Sequence, residues 1–139
     1  MGPVIAESLT GRRIAITGAT GFVGTALVER LIRAVPGCEL VLVVRHGRRT
    51  SAAQRTHKEI IRNDAFDHLR TELGVAFDAE IARRITTIAG DVTADGLGLD
   101  ETDRATFASC DIVVHSAAAV SFDSPLDSAV EINLLGPTR

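Results

Sequence analysis

The octet Thr17-Gly18-Ala19-Thr20-Gly21-Phe22-Val23-Gly24 follows the apolar run Arg13-Ile14-Ala15-Ile16 and opens an amphipathic stretch. A glycine-rich turn therefore stands where a strand hands over to a helix. Such a junction suits a phosphate. Glycines let the backbone turn tightly and bring main-chain N–H groups close to an anion, and the helix N-terminus adds a partial positive charge of roughly half a unit. The spacing is Gly-x-x-Gly-x-x-Gly rather than Gly-x-Gly-x-x-Gly, and no Gly-Lys-Ser/Thr follows, which speaks against an ATP- or GTP-type phosphate loop. With a strand before it and a helix after it, the octet reads as a dinucleotide-binding turn; an ordinary tight turn is the plainer alternative.

Further candidates stand at the ends of the other apolar runs. Arg45 ends the run from Glu39 to Val44, with Arg48 and Arg49 close behind. A residue in that place normally meets the adenosine ribose, where an acid binds the 2′-hydroxyl of NAD and an Arg accommodates the 2′-phosphate of NADP. A guanidinium offers planar paired donors to phosphate, so Arg45 points to NADP, against the alternative of a solvated basic face. Asp91 is placed to accept from the adenine amino group with Val92 packed on the ring, or else to cap local N–H groups in the strand-ending turn Gly90-Asp91-Val92-Thr93. A lone His115 at a strand end reads as packed and hydrogen-bonded rather than catalytic. In the loop that follows it, Ser116, Ala117 and Ala118 give a cofactor room by being small. Cys38 and Cys110 have neither metal nor disulfide spacing and read as structural.

Bringing these positions together requires a particular arrangement of elements. Arg12 to Thr17 and Glu39 to Val44 read as short strands buried on both faces, and Ile85 to Ala89 and Asp111 to His115 as the third and fourth strands. Phe22 to Ala34 reads as a helix with Val23, Ala26, Leu27 and Leu31 inward and Glu29, Arg30 and Arg33 outward, ended by Pro36-Gly37. The long segment from Arg45 to Arg84 is too patterned for a structureless loop. Ser51 serves as an N-cap there; Ile60, Ile61, Phe66, Leu69 and Leu73 form a broken helical stripe, and a short helix follows around Asp78 to Arg83. Asp100 to Ala108 reads as a helix with Leu99, Phe107 and Ala108 inward, and Pro125 opens a last helix. Alternating strands and helices imply an α/β, Rossmann-like, doubly wound parallel sheet, and right-handed crossovers give its first half the order 3-2-1-4. All the candidate residues then fall at the C-terminal strand ends, around the switch point between strands one and four.

The chain of 139 residues is one domain's worth: a loose lead-in over 1–10 and a dinucleotide-binding domain over 11–139. With 45% apolar and 24% charged residues and a net charge of −3, it does not have the charge of a nucleic-acid-binding protein. The N-terminus lacks a basic region followed by a long apolar one, and no apolar run approaches the roughly 20 residues that cross a bilayer, so the cytoplasm is the expected location. A peripheral membrane contact stays open.

The octet 17–24, Gly90-Asp91-Val92-Thr93, His115-Ser116-Ala117-Ala118 and Asn133-Leu134-Leu135-Gly136 together resemble an extended short-chain dehydrogenase/reductase. Within that superfamily, the long segment after Arg45 and the sequence Ala117-Ala118-Ala119-Val120-Ser121-Phe122-Asp123 resemble the fatty acyl-CoA reductases and the thioester-reductase domains of carboxylic acid reductases. The resemblance runs from Leu9 to Arg139. It implies an NADP site formed by Thr17, Gly18, Thr20, Gly21, Phe22, Val23, Gly24, Arg45, Asp91, Val92, Ser116, Ala117 and Ala118. It also implies hydride transfer from NADPH to an acyl-CoA or acyl-thioester carbonyl, giving an aldehyde or an alcohol.

The family's catalytic Tyr-x-x-x-Lys has no counterpart here, because the chain contains no Tyr. Of the catalytic set only Asn133 is matched, in an implied role of shaping its helix and holding a water; a polar residue on a packed helix is the alternative. Pro137 stands where the family more often has Thr, and Ser121 falls too early to be the catalytic Ser. The chain stops at Arg139 in what reads as the middle of a helix, so it is expected to be the N-terminal part of a longer enzyme. As such a part it should bind cofactor without turnover and expose apolar sheet edges. Two other readings stand beside this one: a sugar-nucleotide or steroid type of the same superfamily, and a non-catalytic dinucleotide-binding sensor.

Overall fold

Four short runs form the strands β1 (Arg13–Thr17), β2 (Glu39–Val44), β3 (Ile85–Ala89) and β4 (Ile112–His115) of one parallel sheet in the order β3-β2-β1-β4. The computed structural model describes residues 3–139. Register sets Ala15 between Val41 and Val113, and Thr17 between Val43 and His115. β1 and β2 are nearly all apolar because both of their faces are covered. On one face Ile14, Ile16, Leu40, Leu42 and Val44 pack under helices; on the other Ala15, Val41, Val43 and Ile88 pack with Leu97 and Leu99.

Residues 3–9 are not a loose lead-in but a helix, α1 (Pro3–Leu9). Ala6 and Leu9, three residues apart on one face, dock on the core and account for it. The helix after the glycine turn, α2 (Phe22–Ala34), has the expected bounds and a different inward face. Thr25, Val28, Glu29, Leu31 and Ile32 are buried, whereas Val23 and Ala26 are exposed. The glycine turn sets this rotation: Gly24 lies against Gly18, and the Thr25 hydroxyl donates to Ala19 O at 2.9 Å. Glu29 tolerates burial because Arg33 Nε donates to its Oε1 at 2.7 Å.

Between β2 and β3, α3 (Ala52–Arg55) starts on the expected Ser51 cap, which forms a full capping box with Gln54. It continues as a π-helical turn over Thr56–Ile61, and a 3₁₀ turn (Asp64–Phe66) then leads to α4 (Asp67–Leu73) and α5 (Phe77–Arg84). Ile60, Ile61, Phe66 and Leu69 of the expected stripe are buried; Leu73 packs at the edge of the same core. Arg84 is also buried, donating to Ile32 O, Val35 O and Cys38 O at 2.8, 2.6 and 2.9 Å, which satisfies carbonyls where α2 ends. α6 (Glu101–Ala108) is capped by Asp100; Leu99 is buried and Phe107 partly so, but Ala108, one residue on and so about 100° round the helix, is exposed. After Pro125, α7 (Leu126–Ala129) runs on through a π-helical turn (Val130–Leu135) into a 3₁₀ turn (Gly136–Thr138).

Candidate functional site

The C-terminal ends of the strands converge on a cleft of about 230 Å³ at the switch point between β1 and β4. Gly18, Thr20 and Gly21 line it from the first turn, Arg45 from the end of β2, Asp91 and Val92 from the end of β3, and Ser116, Ala117 and Ala118 from beyond β4. Nine sequence-predicted residues thus share one cleft. Thr17, Phe22, Val23 and Gly24 do not line it: Thr17 is buried beneath it, and the Phe22 and Val23 side chains are exposed.

The three glycines of the turn divide their work. Gly18 has φ +72° and lies so near the β4 loop that a Cβ would come within 2.5 Å of Ala117 N. A Cβ on Gly24 would collide with Gly18 O. Gly18, which also lines the cleft, and Gly24 therefore serve chain-to-chain packing, and Gly21 faces the cleft as the N-cap of α2. Gly21 supplies no side-chain cap, and among the described residues the N–H groups of Phe22, Val23 and Gly24 find no acceptor. Unsatisfied amides at the positive end of a thirteen-residue helix, beside a polar cleft, fit a diphosphate.

Thr17 acts from below. Its hydroxyl lies 2.8 Å from His115 Nδ1 and accepts from the Ser116 and Ala117 N–H groups at 3.2 and 3.3 Å. The hydroxyl thereby ties the end of β1 to the end of β4 and to the loop that follows it. His115 is accordingly a hydrogen-bonded tie between strand ends, as expected, but it is exposed rather than packed.

At the β2 end, Arg45 is exposed and its carbonyl accepts from Arg55 Nη1 at 2.9 Å. Arg55 also lines the cleft, and its Nε and Nη2 grip both oxygens of Glu59 at 2.8 and 2.9 Å. That hydrogen-bonded pair holds the Glu59 carboxyl below the ordinary carboxylate range, against the opposing push of burial. Sequence reasoning missed Arg55. The signal was the Ser51 cap, which starts a helix whose first turn carries Arg55, with its side chain leaning back toward Arg45. Arg48 and Arg49 are exposed and do not line the cleft.

Asp91 Oδ1 accepts from the Thr93 N–H at 2.9 Å and the Thr93 hydroxyl at 2.7 Å, so the local turn-capping reading is realised. Partial burial pushes its carboxyl up, but these two bonds and the Arg45 and Arg139 charges outweigh that and leave it below the usual range. Asn133 lies outside the cleft lining and pairs with the loop after β4. Its Oδ1 accepts from Ala119 N–H at 2.8 Å and its Nδ2 donates to Ala119 O at 3.0 Å. Thr93 and Ile132 also line the cleft and were not expected there, and Val43, Val44 and Gly90 complete it. Cys38 and Cys110 are both free thiols, and burial pushes Cys110 up, away from thiolate reactivity. Among the described residues no His, Cys, Asp and Glu group could hold a metal, and no helix is long and apolar enough to cross a membrane.

The chain is 35% identical over 134 residues to fatty acyl-CoA reductase 1 of Arabidopsis thaliana, covering 94% of this chain and 27% of the plant protein. It is 35% identical over 133 residues to fatty acyl-CoA reductase 1 of Xenopus laevis, covering 94% of this chain and 25% of the frog protein. The chain thus spans about a quarter of the length of the curated relatives it matches. The reductase domain of PhqB from Penicillium fellutanum superposes with a TM-score of 0.62 at 23% identity, over 96% of this chain and 35% of that one, a likeness of fold. Residues 16–139 match the male sterility protein family of nicotinamide-dinucleotide-binding domains, and the chain belongs to that family.

Proposed function

We propose that this chain is the NADPH-binding part of a cytoplasmic reductase that acts on a fatty acyl-CoA or related acyl thioester. The observation that carries the choice of NADPH is the pair of guanidiniums, Arg45 and Arg55, beside the end of β2. In this reading the free amides at the start of α2 take the diphosphate and the two arginines take the 2′-phosphate. Asp91 and Val92 hold the adenine, and Ser116, Ala117 and Ala118 leave room for the nicotinamide half. When bound, NADPH supplies the hydride that converts the thioester carbonyl to an aldehyde, with CoA leaving as the thiol. A second hydride transfer would carry the aldehyde on to the alcohol. The chain contains no Tyr, so the proton donor of the family's mechanism is assigned to residues outside these 139. Asn133 acts as a positioning residue, holding the loop after β4 by both polar groups of Ala119. The substrate class rests on the relatives named as fatty acyl-CoA reductases.

Titration calorimetry with NADPH and NADH tests the cofactor reading. Arg45→Ala and Arg55→Ala should each weaken NADPH binding about tenfold, the scale of a lost charged hydrogen bond, and leave NADH unchanged. Equal losses with both cofactors would remove the 2′-phosphate assignment.

A further inference from the structure

Arg139 joins the end of the last helix to the wall of the cleft that carries Asp91. Its Nη1 donates to Thr93 O at 2.6 Å and to Val92 O at 3.4 Å, and its Nη2 donates to Glu131 Oε2 at 2.6 Å. Its Nε lies 3.7 Å from Asp95 Oδ1. The side chain is only 17% exposed, and Glu131, on the π-helical turn that follows α7, orients it. Gly136 is buried against Val92, where an added Cβ would stand at ordinary contact distance, 3.5 Å from Val92 O. The turn before Arg139 thereby carries Ile132 into the cleft. The same wall is held from behind, since the Asp91 N–H donates to Leu97 O at 2.8 Å. The segment from Asp91 to Thr93 is thus clasped on both sides, with Arg139 reaching across to it from the last helix.

We propose that Arg139, oriented by Glu131, is a positioning residue for the adenosine end of the nucleotide. It touches no ligand. It fixes the Val92 and Thr93 carbonyls, and with them the carboxylate of Asp91 and the side chain of Val92. The inference rests on reading the cleft as a nucleotide site, and it adds a specific consequence: loss of Arg139 should be felt at one end of the nucleotide only. A purely structural role would weaken both ends together or act only on folding.

The experiment measures binding of NADPH, 2′,5′-ADP and nicotinamide mononucleotide to the chain and to its Arg139→Ala, Arg139→Lys and Glu131→Gln variants, with thermal melting of each in the absence of ligand. Arg139→Ala should weaken NADPH and 2′,5′-ADP by the same factor, about tenfold, with nicotinamide mononucleotide unchanged. Glu131→Gln should give about a threefold loss, and the double variant should bind no worse than Arg139→Ala alone, since the two residues act as one unit. Arg139→Lys keeps the charge without the forked donors and should recover only part of the loss; it carries the comparison if Arg139→Ala melts early. Unchanged 2′,5′-ADP binding in a folded Arg139→Ala or Arg139→Lys variant overturns the proposal while leaving the nucleotide site intact. Failure of the unsubstituted chain to bind either NADPH or 2′,5′-ADP overturns the nucleotide reading itself, and this inference with it.

Discussion

Gly18 and Gly24 are the two positions where a single methyl group has nowhere to go. At Gly18 it meets the backbone of Ala117 and also requires an L-residue at φ +72°; at Gly24 it meets the Gly18 carbonyl. Backbone cannot move aside as a side chain can, so Gly18→Ala and Gly24→Ala are each expected to cost about 2–4 kcal/mol in urea denaturation. Gly37 is the control: it has φ +66° with open space around it, so Gly37→Ala should cost only about 1 kcal/mol, the price of the left-handed backbone alone. The spacing of these glycines made the turn legible in the sequence. It could not tell that Gly18 is occupied by packing against the chain itself, because the Ala117 contact joins segments about a hundred residues apart; Gly24 meets the Gly18 carbonyl only once that turn has closed. Arg55 was illegible for a related reason: its nearness to Arg45 follows from the entry angle of α3, which the Ser51 cap sets.

At the scale of elements, Arg84 is the residue on which the α2-to-β2 connection depends. It sits at the end of α5 and donates to three carbonyls, one in the last turn of α2 (Ile32), one on its C-cap Val35 and one on Cys38. Arg84→Ala would leave those acceptors buried and unpaired, and a loss of about 3 kcal/mol is expected in the same denaturation assay, with Arg84→Lys recovering only part. Ser51→Ala removes one half of the capping box and should cost about 1 kcal/mol. The strands were readable because runs such as Glu39–Val44 are too uniformly apolar for anything but a doubly covered strand. The inward face of α2 was not, because apolar spacing alone favoured the stripe through Val23 and Ala26. The actual face is turned toward Thr25, Val28 and Glu29 by the turn that precedes it. The helix at 3–9 was missed because a short segment becomes helical only where its few apolar residues find a core to dock on.

For the molecule as a whole, the strand order was recoverable before any coordinates, since a right-handed crossover leaves few ways to arrange four parallel strands. The pH dependence of stability follows from three carboxyls, Glu59, Glu80 and Asp91, whose folded values all lie below their ordinary range. A carboxyl of this kind favours folding at any pH above its unfolded value of about 4. That contribution is lost as pH falls through the lower folded value, so melting temperature should be flat from pH 7 to about 5 and drop below about 4. NADPH at about 100 times its dissociation constant should add about 2.7 kcal/mol, seen as a rise of roughly 5–10 °C in the melting midpoint. The two margins of the sheet are unlike. Along β3 the outer Ile85 and Ala89 amides are already taken by Ile81 O and Asp103 Oδ2, whereas β4, among the described residues, pairs with β1 alone and leaves Val113 53% exposed. Of the four strands, β4 is thus the one whose outer backbone groups are left to receive another strand, and a peptide or chain segment added to this sheet would join it on that side.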